Sequence, residues 1–399
     1  MSTLRRVSSW IHLYGGLALG GLLIVISVSG SALVFEDALK AWLRPDLHRV
    51  APAGERAPLD EVFDAVEDAH PGVTPWIVNL PTAPTEPAVV RLGPDAPSVY
   101  VDPYRATVLG ERRPDAGLVN TVVDLHVELL AGRTGGLLVG VSGLLLVVLA
   151  LTGLVLWWPR RLTALWRALR VAWRQGAGRI NYDLHRAGGF YTMLFVLLTA
   201  LTGSAFIFYP TTQQMLATVT ATNPWPPPAP TVSADRDADE AGTVSYQAVM
   251  RAATATLPEA EPTFLYVPQE PDAPVTVRLR TPPEWHPNGR SFVYARPSDA
   301  SVLRVDDARK APLGAQVLQT FYPLHIGAVG GLVVKWLYVI FGLSPAVLSV
   351  TGTVIWYQRW RTRTPNEAAP VATEENTRPV VVPEDRQART DAPSLPPRP

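Results

Sequence analysis

Residues 125–160 read LHVELLAGRTGGLLVGVSGLLLVVLALTGLVLWWPR, and residues 324–359 read LHIGAVGGLVVKWLYVIFGLSPAVLSVTGTVIWYQR. Each stretch opens on a histidine, passes a glycine-rich break and closes on an aromatic pair and an arginine. Between break and close lies an apolar run of the roughly 20 residues that cross a hydrocarbon core. A shift of 199 residues lays one on the other without a gap. His126 falls on His325, Gly132 on Gly331, Gly143-Leu144 on Gly342-Leu343, Thr152-Gly153 on Thr351-Gly352, Trp157 on Trp356 and Arg160 on Arg359. A shift of 173 relates two further runs, placing His12 on His185, Gly15-Gly16 on Gly188-Gly189, Gly30-Ser31-Ala32 on Gly203-Ser204-Ala205 and Phe35 on Phe208. The chain therefore reads as an internal duplication: two copies of helix, small α+β domain, helix.

Four apolar runs, about 10–35, 136–158, 187–209 and 331–357, predict a membrane protein built on a four-helix transmembrane bundle. The composition agrees, with 47% hydrophobic residues, 12 Trp and only 18% charged. The first run, within 1–35, is too long for a cleavable signal peptide and lacks a small-residue cleavage site. Positive charge sets the orientation. Arg5 and Arg6 precede the first span, the loop 159–186 holds Arg160, Arg161, Arg167, Arg170, Arg174, Arg179 and Arg186, and Arg359, Arg361 and Arg363 follow the last span. The long loops 36–135 and 210–330 are mixed or acidic, so both are expected outside and both termini in the cytoplasm.

Each long loop begins with an amphipathic helix pattern: Leu59, Val62, Phe63 and Val66 in the first, Tyr246, Val249, Met250 and Ala253 in the second. Short alternating strands follow, at 76–80, 88–92, 98–102 and 106–109, then at 263–267, 275–280, 291–295 and 300–305. The hairpins 99–109 and 293–303 align with Pro103 opposite Pro297. Residues 223–240 combine a polyproline stretch with an acidic run and read as a linker. Residues 364–399, within a cytoplasmic tail 358–399, have too little apolar surface for a core and are expected to be disordered.

The chain has no cysteine. That excludes disulfides, iron–sulfur clusters and covalently attached c-type haem. Lys+Arg and Asp+Glu number 35 each, a balance that carries no information when the two signs are segregated by side of the membrane. No basic, aromatic-laced patch points to nucleic acid, and no P-loop, dinucleotide fingerprint or nucleophile motif is present.

Four of the seven histidines stand at the mouths of the spans: His12, His126, His185 and His325. An ionisable residue at membrane depth is costly and is kept mainly where it has a task. By topology His12 and His185 lie toward the cytoplasmic face and His126 and His325 toward the outer face. Two at each level suit bis-imidazole ligation of a haem. Small residues would give the macrocycle room: Gly15, Gly16, Gly188 and Gly189 on the faces of His12 and His185, Gly30 and Gly203 near the outer pair, Gly153 and Gly352 near the inner one. Cations for the propionates would be Arg5, Arg6 and Arg186 inside, Arg133 and Lys335 outside. A lone histidine at a helix end is ordinarily an interfacial residue, and paired glycines are ordinarily packing contacts; repetition at four related positions favours ligation. Trp10, Trp157, Trp158, Trp356 and Trp360 suit an interfacial aromatic belt. His48, His70 and His286 have no partner at metal-ligand spacing and are read as surface residues.

At these residues the chain resembles the PepSY-associated transmembrane proteins, described as iron-regulated or iron-uptake membrane proteins. The matching pieces are His12-Leu-Tyr-Gly-Gly, Leu125-His126 through Leu-Leu-Ala-Gly, Thr152-Gly153 to Trp157-Trp158-Pro159-Arg160, Leu184-His185-Arg186-Ala-Gly, and Leu324-His325-Ile-Gly through Thr351-Gly352. They span about residues 1–363; Gln358 departs from the second span's Pro159. The resemblance implies two periplasmic PepSY-like α+β domains and a bacterial inner-membrane protein with non-covalent haem b whose ligands are the four motif histidines; depth then pairs His12 with His185 and His126 with His325 on two haems. Better-understood relatives are ferric-siderophore reductases. They pass electrons outward and release iron, because oxygen donors hold Fe(III) far better than Fe(II). The expected enzyme is then a ferric-chelate reductase with an unidentified electron donor and a ferric siderophore docking between the outer domains. The rival readings are a membrane-anchored PepSY binding or regulatory module without redox activity, a siderophore or metal permease component, and a haem protein with another electron acceptor.

Overall fold

The computed structural model describes residues 2–113, 116–232 and 245–362. Part of the expected linker (233–240) and the tail from 363 lie outside the described residues. The chain forms one body over 1–358; residues 359–362 of the remaining segment are described, and Arg359–Arg361 are helical.

Four helical stretches are long and apolar enough to cross a membrane. They are α1 (Thr3–Leu33), α6 (Gly132–Trp157), α8 (Ala177–Ile207), and the consecutive α12 (Gly331–Gly342) and α13 (Ser344–Arg361). The last pair breaks beside Pro345, whose ring has no N–H to give and crowds the carbonyl four residues back. The bundle packs through small residues, as helices do where lipid removes the hydrophobic drive between them. A Cβ on Gly140 would meet Ile207 of α8 and the adjoining Phe208 at 2.7–2.8 Å, and Ser204 Oγ donates to the Gly140 carbonyl at 2.9 Å. Leu137, Leu138, Val141, Leu144, Leu145 and Val148 point outward from α6 and are exposed, as suits a lipid-facing surface.

Short helices lead between bundle and sheet: α2 (Glu36–Leu43) and α3 (Pro45–His48) after α1, α5 (Leu118–Glu128) before α6, α9 (Tyr209–Val219) after α8, and α11 (Leu313–Ile326) before α12; α7 (Leu165–Ala168) lies in the connection from α6 to α8. The α5–α6 corner turns through Leu129 and Leu130, both in the left-handed region at φ 54° and 57°. Gly135 lies against the Glu128 carbonyl, where a Cβ would overlap backbone.

The remaining chain forms α4 (Leu59–Ala69), β1 (Ile77–Asn79), β2 (Ala88–Arg91), β3 (Ser98–Asp102), β4 (Thr107–Arg112), α10 (Tyr246–Thr256), β5 (Glu261–Tyr266), β6 (Val275–Arg280), β7 (Ser291–Ala295) and β8 (Val302–Asp306). The eight strands make one antiparallel sheet in the order β4-β3-β2-β1-β5-β6-β7-β8. Its two halves join where Val78 of β1 pairs with Leu265 of β5, both completely buried. The two repeats therefore share one continuous sheet. The edge strand of each half satisfies its backbone groups on the other, which also removes two aggregation-prone edges. Helices α4 and α10 cover one face. Leu59, Val62, Val66, Val249 and Ala253 pack there on Val90, Val99, Val277 and Val293, and Phe63 stacks on Tyr246 at 3.9 Å between the helices. The strand alternation that buries these valines turns Phe264, Arg278 and Phe292 to the opposite face, where Arg278 lies over both rings.

Candidate functional site

The four membrane-level histidines meet in two facing pairs. His12 on α1 and His185 on α8 have ring centroids 6.1 Å apart, with planes at 80°. His126 on α5 and His325 on α11 are 6.3 Å apart at 42°. All four rings are half-buried. The levels are well separated: Ser29, which contacts His126, is 17 residues along α1 from His12, and Thr202, which contacts His325, is 17 residues along α8 from His185. At the helical rise that is about 26 Å.

Each imidazole is held by the same device on a neighbouring helix, a Ser/Thr-Gly dipeptide. His126 Nδ1 lies 2.9 Å from the Ile26 carbonyl and 3.3 Å from Ser29 Oγ. His12 Nδ1 lies 3.0 Å from the Leu149 carbonyl and 3.3 Å from Thr152 Oγ1. His185 Nδ1 lies 3.0 Å from Thr351 Oγ1, and His325 Nδ1 2.9 Å from Thr202 Oγ1. The glycine that follows each hydroxyl makes space for the ring. A Cβ on Gly30 would sit 2.5 Å from His126 Cε1, and on Gly153, Gly203 or Gly352 it would sit 3.0 Å from Cε1 of His12, His325 or His185.

This device fixes the tautomer. Each hydroxyl donates its one proton to the carbonyl four residues back: Ser29 to Val25 at 2.7 Å, Thr152 to Val148 at 2.8 Å, Thr202 to Leu198 at 2.7 Å and Thr351 to Val347 at 2.8 Å. Toward the histidine the oxygen is thus an acceptor, as the carbonyls of Ile26 and Leu149 must be. Nδ1 carries the ring proton in all four, and Nε2 is left with its lone pair and forms no hydrogen bond among the described residues. Metal-ligating histidines are oriented in this way, with the second nitrogen donating to a fixed oxygen.

Sequence alone singles out the four histidines and the glycines at 30, 153, 203 and 352 and gives Ser29, Thr152, Thr202 and Thr351 no role as ligand supports. The available signal was the Ser/Thr-Gly dipeptide itself, 17–18 residues after His12 and His185 and 26–27 after His126 and His325. The paired glycines behave differently: Gly15 and Gly189 pack toward Leu149 and Leu348, while beside Gly16 and Gly188 the space is open. Of the cations, Arg5 donates to the Leu156 and Trp158 carbonyls at 2.7 and 2.9 Å and so closes the C-terminal end of α6. Lys335 lies over Phe35, Arg186 is half-buried, and Arg6 and Arg133 are exposed. Two of the outer histidines depart from the surface reading. His286 is buried, because loop 281–290 folds back over Arg278 and sets its ring on Tyr322. His48 is half-buried against Tyr100, and burial with Lys40 and Arg112 nearby pushes its pKa down to about 4. His70 pairs with Glu111 at 2.8 Å.

Among the described residues no cluster of three or more His, Cys, Asp or Glu could hold a metal. Two imidazoles fall short of the three or four protein ligands of a zinc site, so a metal held here must bring most of its own ligands, as haem iron does. The spacing fits that group. Two imidazoles on opposite sides of one ion, at the roughly 2.0–2.1 Å that imidazole keeps from a metal, have ring centres roughly 6.4 Å apart. The separations of 6.1 and 6.3 Å fall close to it.

Bundle, sheet and sites together define a membrane protein with paired imidazoles at two levels and an eight-stranded sheet beyond one end of the bundle. The chain matches the PepSY-associated TM region over residues 9–359 and belongs to that family. None of the curated proteins compared with it matches.

Proposed function

We propose that the chain is a dihaem b electron-transfer protein of a bacterial inner membrane. It would carry electrons from a cytoplasmic or membrane donor to a ferric siderophore on the outer side. The observation that carries the reading is the pair of facing imidazoles at each level, each with Nδ1 protonated and Nε2 free. Haem bound between them supplies reversible one-electron storage. The chain's part is to orient the rings through Ser29, Thr152, Thr202 and Thr351, to hold their protons at Nδ1, and to seal the sites within apolar helices. Family membership supports the reading. Arg5 and Arg6 at the start of α1, the arginines between 160 and 186, and Arg359 and Arg361 at the end of α13 support an orientation with both termini cytoplasmic and the sheet periplasmic.

The test of the acceptor is direct. Detergent-solubilised protein reduced with dithionite, freed of excess reductant and mixed anaerobically with a ferric siderophore should return to its oxidised spectrum as Fe(II) appears. A reduced spectrum that persists while the chelate stays ferric would exclude the siderophore as acceptor.

The supporting hydroxyls give a graded expectation. For His185 and His325 the hydroxyl stands at 3.0 and 2.9 Å, whereas for His12 and His126 a carbonyl is the nearer acceptor at 3.0 and 2.9 Å. Thr351→Val should weaken haem retention at its site by about 10-fold or more, the usual cost of losing such a support, and Thr351→Ser should restore it. Thr152→Val should cost less, since the Leu149 carbonyl is a nearer acceptor for His12 than the hydroxyl. Haem retained after gel filtration measures both.

A further inference from the structure

Among the described residues, an aromatic series leads away from the outer histidine pair on the His325 side. Phe206 stands edge-on to His325 with centroids 5.7 Å apart, and Tyr322 edge-on to Phe206 at 6.1 Å. His286 stacks on Tyr322 at 4.9 Å and 21°. The corresponding positions of the first half, by the same shifts of 173 and 199, hold Leu33 and Val123. The loop between β2 and β3 is only residues 92–97 and has no histidine, whereas residues 281–290 join β6 to β7. The histidine pair is matched across the two halves, and the path away from it is not.

Loop 281–290 is tied in place. Arg278 Nε and Nη2 donate to the Gly289 carbonyl at 2.9 and 2.6 Å, and Thr281 donates through N and Oγ1 to Glu284 at 2.7 and 2.9 Å. Gly289 holds φ 67° against the Leu279 carbonyl, where no Cβ fits. Asn288 N–H donates to His286 Nδ1 at 3.1 Å, so the ring proton is on Nε2. Burial beside Arg290 and Arg278 pushes the His286 pKa down to about 3, so the ring is neutral.

Between this loop and α11 lies a pocket of about 260 Å³ lined by Trp285, His286, Arg309, Gln316, Gln319 and Thr320 among others. Glu284 also lines it; Arg309 is paired with Asp307, and Gln316 Nε2 donates to the Ala311 carbonyl, while Gln319 Nε2 is buried without a partner and is a donor open to a ligand oxygen. Trp285 is 56% exposed and offers a flat apolar surface. The volume is below the roughly 300–1,000 Å³ that encloses a drug-sized ligand, which suits one arm of a larger chelate with the rest in solvent.

We propose that this pocket, in place of the seam between the sheet halves, receives a ferric chelate with oxygen-donor arms, and that Tyr322 and Phe206 join it to the outer histidine pair. The proposal rests on the electron-transfer reading above. The step would move one electron and no atoms: a haem held by His126 and His325 would supply the electron that takes the chelated Fe(III) to Fe(II). No proton or bond of the chain changes.

Binding is separable from electron transfer with the gallium(III) complex of a linear trihydroxamate, which keeps the charge and shape of the iron complex and accepts no electron. In equilibrium dialysis with full-length protein in detergent, Trp285→Ala combined with Arg309→Ala should weaken binding at least tenfold, and Tyr322→Leu should leave it within twofold. With the iron complex, Tyr322→Leu should slow reoxidation of the reduced protein at least tenfold at unchanged haem content, and Tyr322→Phe should restore it. Binding unmoved by the Trp285 and Arg309 changes would overturn the pocket. An unchanged reoxidation rate in Tyr322→Leu would overturn the ring path. Pocket-dependent binding of the gallium complex by a protein that holds no haem would keep the pocket and sink the electron-transfer reading.

Discussion

Replacing His185 by alanine is expected to take one of the two haems from the protein and leave the other in place. His12 and His185 share no partner with His126 and His325, and the levels lie about 26 Å apart by helical rise. Sites this far apart without shared contacts behave additively. A pyridine haemochrome assay against protein concentration should therefore fall from two haems per chain to one, with a low-spin spectrum retained from the outer pair. His126→Ala should give the same ratio from the other side. His185→Ala with His325→Ala should give none. Two haems in either single variant would mean that these histidines are not the ligands.

The second large effect is expected from a single methyl group. Gly30→Ala would put Cβ 2.5 Å from His126 Cε1, well inside van der Waals contact. The ring cannot swing away without giving up the Ile26 carbonyl and Ser29, so α1 must move or the imidazole must leave its place. Overpacking of this kind costs roughly 1–3 kcal/mol, and here it falls on a ligand. Gly30→Ala should lose the outer haem and lower the thermal midpoint. Gly153→Ala, Gly203→Ala and Gly352→Ala, at 3.0 Å, should act in the same direction more weakly. Gly21→Ala, exposed on α1 with nothing within 4 Å of the added methyl, is the control and should retain both haems.

Much of this was legible in the sequence. Long apolar runs with arginine at one side predict spans, and the alternation Val-Thr-Val-Arg-Leu-Arg (275–280) predicts β6, because burial of one face leaves a period of two. The pairing of the histidines followed from their placement at opposite ends of oppositely directed helices. The seam did not follow: β1 is only Ile77–Asn79, and a short alternating run does not say which distant edge it will join. The Ser/Thr-Gly dipeptides were visible as letters, but the same pairs pack helices in any membrane bundle. Only the geometry ties Thr351 to His185. His286 was read as a surface residue because it has no ligand-spaced neighbour; its burial comes from a loop folded by Arg278 and Gly289.

The central claim, two bis-imidazole haem sites in one chain, is most directly tested by one absorption measurement on purified, detergent-solubilised protein. The dithionite-reduced minus oxidised spectrum should display an α-band at the b-type position, with two haems per chain by haemochrome assay. The absence of that band, or a ratio that stays at one when haem is supplied in excess, would contradict it.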